Sequence, residues 1–283
     1  MSTVLPPRPL TALRELPRPR PAVLLGSLGV ALLLVAALWP DLLSSADPTA
    51  GQQLDAYRGP SAAHWFGTDQ LGRDVYARIV HGAAQSLFIG VGATAIGAAG
   101  GLVLGLLAAV GGRFADEALM RLLDVLLALP GLLLALVVIT VVGPGNLNTA
   151  LAIGIAEVAA YTRLVRSKAL TVRSAGYVEA ARVVGHRRTR VVLRHVLPNS
   201  VGPLLALAVV GVGRAMIEGS ALSFLGLGAQ PPTPEWGSML ADGRNALGIA
   251  WWTAVAPGVA VTLAVVAITV VGRRFQARFE GRG

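Results

Sequence analysis

The sequence predicts an all-α polytopic membrane protein, and three observations carry that expectation. The 283 residues are 54% apolar and only 14% charged, whereas a soluble domain carries about 25% charged residues. The apolar residues gather into runs near the length that crosses a bilayer, and the mean hydropathy is +0.65. All but one of the 24 basic residues fall between those runs rather than inside them. Such apolar content excludes a disordered chain. With no cysteine, disulfides, thiol chemistry and cysteine metal sites are excluded as well.

Six runs qualify as spans. The first is Ala22 to Trp39, closed by Pro40. Its basic flank resembles a signal peptide, but 18 apolar residues exceed the usual length of such a core, so it reads as an uncleaved span. The second, Leu87 to Gly112, is uncharged and carries Ala93, Gly97, Gly101, Gly105 and Ala109 every fourth position. On a helix that is a smooth ridge for close packing. The third, Leu122 to Val142, holds Asp124 and Pro130. The fourth, Thr149 to Tyr161, is short and holds Glu157. The fifth is Val201 to Leu225, with Arg214 and Glu218, and the sixth is Ile249 to Val271, with Pro257. Bundled helices tolerate such prolines because neighbours satisfy the freed carbonyls. The expected layout is a tail over 1–21, a six-helix domain over 22–272 and a second tail over 273–283. Within the domain lie an outer-face segment at 40–86, a cytoplasmic hairpin at 163–198 and an outer loop at 226–248.

Arginine and lysine counts give the orientation. With both termini inside, the cytoplasmic pieces hold 4, 2, 9 and 4 of the 24 basic residues, against four on the opposite side. That asymmetry explains the net charge of +9 through anionic lipid rather than nucleic acid.

Several chemistries are missing. The only lysine, Lys168, lies between Ser167 and Ala169, so there is no Walker A phosphate loop. His64, His81, His186 and His195 form no zinc-protease pair, and no Gly-x-Ser-x-Gly elbow is present.

Residues 163–198 are the most informative stretch. Val178, Ala181 and Val184, then Val191, Val192 and Val196, recur at helical spacing, interrupted by Gly185 and closed by Pro198. This predicts two short helices around a glycine bend. Glu179-Ala180-Ala181, then Gly185, then His195-Val196-Leu197-Pro198 resembles the EAA loop of bacterial ABC importer permeases. The form Arg194 to Asn199 is similar to their peptide and nickel group. His64 to Asp74, Gly143-Pro144-Gly145, Leu222 to Gly228, and Pro234 to Gly237 resemble the second permease subunit of dipeptide and oligopeptide importers.

That resemblance implies the type I ABC importer permease fold and a non-catalytic subunit in a bacterial inner membrane. It implies that Glu179, Ala180, Ala181, Gly185, Leu197 and Pro198 couple the chain to ATPase subunits. The expected partners are a homologous second permease chain, two ATPase subunits and an extracytoplasmic binding protein that delivers peptides. No cofactor is expected on this chain; ATP and magnesium belong to the ATPases. Nickel or a metal chelate is the alternative cargo, and a stand-alone channel or ion-driven carrier the alternative class.

Two further sets of candidates follow. Residues 66–78 mix Asp69, Arg73, Asp74 and Arg78 with Leu71, Val75 and Ile79, an amphipathic element at the outer surface. It reads either as structural or, through Asp69, Arg73 and Asp74 with Glu235 and Trp236, as a contact for the binding protein. Arg214 and Glu218 are four apart and share a helix face. An unpaired charge at mid-bilayer costs about 2.5–3.5 kcal/mol on insertion scales, so they are expected to pair or line a wet path. Glu157 and Ser223 join them as path candidates; the family pattern has Gly-Trp-Pro near Glu157-Val158-Ala159.

Overall fold

A computed structural model describes residues 21–280; most of the predicted N-terminal tail and the last three residues lie outside them. The described residues contain ten α-helices, with long connections only at 39–74, 225–235 and 244–251, and two isolated β-bridges. In order, the helices are α1 (Pro21–Leu38), α2 (Val75–Val110), α3 (Arg113–Leu127), α4 (Gly131–Val142), α5 (Asn146–Arg173), α6 (Gly176–Val183), α7 (Arg188–Val191), α8 (Leu197–Phe224), α9 (Trp236–Gly243) and α10 (Trp252–Glu280).

Four helices are long and apolar enough to cross a membrane: α1, α2, the continuous α7–α8 unit and α10. A bent pair, α3 with α4, adds one more. At 28 residues, α5 is about 42 Å long, but Asn146, Asn148, Glu157 and Arg163 dilute its apolarity. Length and composition therefore support four to five of the six expected spans.

Three local expectations are corrected. The third span is not one straight helix, because the chain turns by 91° between α3 and α4. Pro130 has no N–H to continue α3 and keeps the residue before it out of helical geometry, so it stands as N-cap of α4. The amphipathic outer element is not a surface helix. Residues 66–74 are a folded loop, and Asp74 ends it by accepting a hydrogen bond from Ala77 N to start α2 twelve residues before the predicted span. Pro198 does not stop the hairpin's second arm. It sits in the first turn of α8, where a missing N–H costs nothing. A π-helical turn over Val192–Val196 carries α7 into α8 without a break.

The core forms where small residues let helices meet. Every residue of the predicted ridge on α2 is buried, and its partner is α5. A Cβ added to Gly105 would stand 2.7 Å from Val165 Cβ, and one added to Gly154 on α5 would stand 2.7 Å from Ile96 Cβ. Neither helix has room for a larger side chain there. Ile89, Ala93, Ile153, Ala215 and Leu222 extend this packing to α8, while Leu33, Ala264 and Ile268 join α1 to α10.

Candidate functional site

The predicted hairpin is present and stands away from the bundle. Its first arm, α6, is anchored by Val178, which is fully buried, while Glu179 and Ala180 are exposed and Ala181 half-buried. Gly185 has φ +86°, and its N–H reaches Arg182 O while His186 N–H reaches Ala181 O. These paired bonds form a Schellman cap, which needs the left-handed conformation that glycine adopts freely. The bend thus belongs to glycine because of backbone geometry; a Cβ there would meet nothing within 4 Å. The return arm is anchored by Val191 and Val196, and the Tyr177 and His195 rings meet at 5.9 Å. Leu197 is half-buried and Pro198 exposed.

What this finger shows to its surroundings is apolar and basic. Tyr177 is 51% exposed, Val183 83%, Val184 79% and Leu193 64%, flanked by Arg182, Arg187, Arg188, Arg190 and Arg194. Burial together with the nearby Arg182 and Arg188 lowers the pKa of Arg173. The tip carries a concentrated positive field.

A second cluster lies between α5 and α8. Arg214 donates toward two carboxylates on different helices: Nη2 is 3.3 Å from Glu157 Oε1, and Nε is 3.1 Å from Glu218 Oε1. The i,i+4 pair expected on α8 is therefore formed, and α5 supplies a third member. Glu157 is buried at 2% exposure, whereas the Arg214 side chain is 59% exposed. Glu218 Oε2 is buried without a hydrogen-bond partner, while the Tyr161 hydroxyl lies beside both Glu157 and Thr94. Tyr161, one turn after Glu157, places its hydroxyl against Gly211 of α8. Ser223 does not join the cluster; it is buried beneath the outer loop against Gly228 and Gly237.

The outer-face candidates are mostly inside. Asp69 Oδ1 accepts from the N–H groups of Leu71 and Arg73, and Oδ2 pairs with Arg73 Nε at 2.7 Å and Arg78 Nε at 3.5 Å. Asp69, Arg73 and Arg78 are all buried. Half-buried Asp74 caps α2 and binds His64 Nδ1 at 2.8 Å. Glu235 is fully buried, accepting from Ser86 Oγ, Gly237 N and Ser238 N, and Trp236 Nε1 donates to Ile79 O. As direct contacts for another protein, Asp69, Arg73, Glu235 and Trp236 are unavailable in this conformation; they hold the outer loops on α2.

Several residues of these clusters escaped the sequence reading. The i,i+4 spacing of Glu157 and Tyr161 pointed to a shared face. Arg78 on Asp69, and the ion pairs of Arg163 with Asp124 and Arg166 with Asp116, cross between elements and have no local signal.

Fold and finger together define a polytopic membrane subunit with the architecture of ABC-transporter permeases. In the fold comparison, an inward-facing MetNI methionine ABC transporter matches with a TM-score of 0.59 at 17% identity, covering 71% of this chain and 96% of that one. An amino acid ABC transporter crystallised with histidines matches with a TM-score of 0.56 at 14% identity, covering 71% and 94%. The model of the family "Binding-protein-dependent transport system inner membrane component" matches residues 101–282, and the chain belongs to that family. It is 39% identical over 261 residues to a dipeptide transport system permease protein DppC of Alkalihalophilus pseudofirmus, covering 92% of this chain and 86% of that one. It is 44% identical over 214 residues to a di/tripeptide transport system permease protein DppC of Pseudomonas aeruginosa, covering 76% and 71%. A glutathione transport system permease protein GsiD of Pectobacterium atrosepticum is 40% identical over 244 residues, covering 86% and 81%.

Proposed function

We propose that this chain is a permease subunit of an ATP-driven importer that takes up short peptides delivered by a binding protein. It catalyses no reaction itself. Hydrolysis in two separate ATPase subunits moves the 176–198 finger, and the spans rock between inward- and outward-open states beside a homologous second permease chain. Both termini lie in the cytoplasm, in keeping with the basic residues of the finger and tails. The outer loops that Asp69, Arg73, Asp74, Glu235 and Trp236 hold in place form the landing surface for the binding protein.

One observation carries the reading. The exposed face of α6 and its C-cap is small and apolar at Ala180, Val183 and Val184, carries Glu179, and is left open by the described residues. A buried Val178 and a glycine cap hold it rigidly. Such a face is fitted to insert in a groove of another protein. Relatives named for dipeptide, di/tripeptide and glutathione transport favour peptide cargo over nickel.

Glu157, Arg214 and Glu218 line the path. A guanidinium more than half exposed on an apolar helix cannot face lipid without cost, so this side of α8 borders water or another chain. Purification of the chain with its neighbouring gene products tests the whole reading. Co-elution of ATPase subunits and ATP-dependent peptide uptake in vesicles support it. Uptake that proceeds without any ATPase would establish a carrier instead.

A further inference from the structure

The Arg214 cluster has a form that suggests what it holds. The two carboxylates take one edge of the guanidinium, Nε and Nη2, from Glu218 and Glu157 respectively. Among the described residues no hydrogen bond reaches Nη1, and the side chain is 59% exposed while its two acids are 18% and 2% exposed. What the site presents outward is therefore not its acids but the free end of a planar fork. That end is matched to a carboxylate, which it can bind through two parallel N–H bonds. The buried acids fix the fork before anything binds, which lowers the ordering cost of binding.

The cluster is also incomplete. Buried acceptors are normally satisfied, yet Glu218 Oε2 has no donor, while Glu157 has the Tyr161 hydroxyl beside it. The two oxygens of a peptide's terminal carboxylate accept what the Arg214 fork donates. The flanking negative charges weaken the pull of Arg214 on an anion, which suits a group that must release its cargo.

Resting on the reading of this face as the path, we propose that Arg214 is a cargo-binding residue that takes a free carboxylate of the passing peptide, with Glu157 and Glu218 as its positioning residues. Small solutes lacking a carboxylate cross poorly however well the binding protein holds them.

Two measurements on the reconstituted complex separate this proposal from the path reading beneath it. The chain has no cysteine, so a single cysteine reports cleanly. Ile217→Cys, one turn from Arg214 and 52% exposed in the native residue, is expected to react with a membrane-impermeant thiol reagent in one nucleotide state; no reaction in any state overturns the path reading. The second measurement is single-turnover uptake of trialanine and of its C-terminal amide, each from binding protein loaded to equal occupancy. In the wild type the free acid is expected to move at least tenfold faster. In Arg214→Gln the ratio falls to within twofold, and Arg214→Lys gives an intermediate ratio. The neutral triple variant Glu157→Gln, Arg214→Gln, Glu218→Gln has no unpaired charge to impair folding and is expected to show the same twofold limit. An amidated peptide with an internal aspartate regains speed if any carboxylate serves, and stays slow if the terminal one is required. A wild-type ratio near one, or a ratio unchanged in the Arg214 variants while Ile217→Cys still reacts, overturns the carboxylate assignment alone.

Discussion

Two pairs of carboxylates, three of them buried and Glu218 half-buried, sit in this chain under opposite rules. In the loops packed on α2, both oxygens of Asp69 and both of Glu235 are taken by backbone N–H groups, a hydroxyl or arginines. Between α5 and α8, Glu157 and Glu218 each offer one oxygen to Arg214; Glu157 has only the Tyr161 hydroxyl besides, and Glu218 Oε2 has no donor. A closed network is framework: its residues fix loops, and nothing can be added to it. An open network with an exposed cation in its middle is built to meet something. The sequence offers the first pair as contacts for a binding protein and the second as lining of a path, and which network is closed appears only in the accounting of each oxygen.

That contrast predicts a graded series. Asp69→Ala leaves Arg73 and Arg78 buried and unpaired, and removing one partner of such a pair costs about 3–5 kcal/mol. The expected result is loss of folded subunit, measured as thermal unfolding of the purified complex. Gly105→Leu follows, forcing α2 off α5 at a cost of about 1–3 kcal/mol in the same measurement. Glu157→Gln costs only about 1 kcal/mol, because Glu218 still pairs with an exposed Arg214, yet it is expected to lower peptide uptake severalfold. An unfolding shift for Glu157→Gln as large as that for Asp69→Ala would erase the distinction between the two networks. Smallest in stability is Glu179→Ala, an exposed substitution within about 0.5 kcal/mol of wild type. Its effect is expected in transport-coupled ATP hydrolysis alone.

Much of the fold was legible because hydropathy and small-residue spacing are local signals. The α2 ridge, the Arg214–Glu218 pair and the glycine bend at residue 185 are of that kind. The reading failed where a local pattern had a second interpretation. Leu71, Val75 and Ile79 are spaced as on a helix, but Gly67 and Gly72 adopt φ +68° and +72°, and Asp69 draws the backbone around itself. The same happened at Pro130, where a proline inside an apolar run fits a kinked span and a broken one equally. The third member of the membrane cluster was also beyond reach. Glu157 is separated by 57 positions from Arg214 in the chain, and only the packing of α5 on α8 brings them together.

The finger carries the central claim, since under the proposed function it joins this chain to its source of energy. The direct measurement places a single cysteine at Ala180, in the otherwise cysteine-free chain, and asks what a short bifunctional crosslinker captures in the assembled complex. The account predicts one dominant product with an ATPase subunit, its yield changing between nucleotide-free and ATP-bound states. Crosslinking only to lipid-embedded segments or to nothing, with the complex intact, would contradict it.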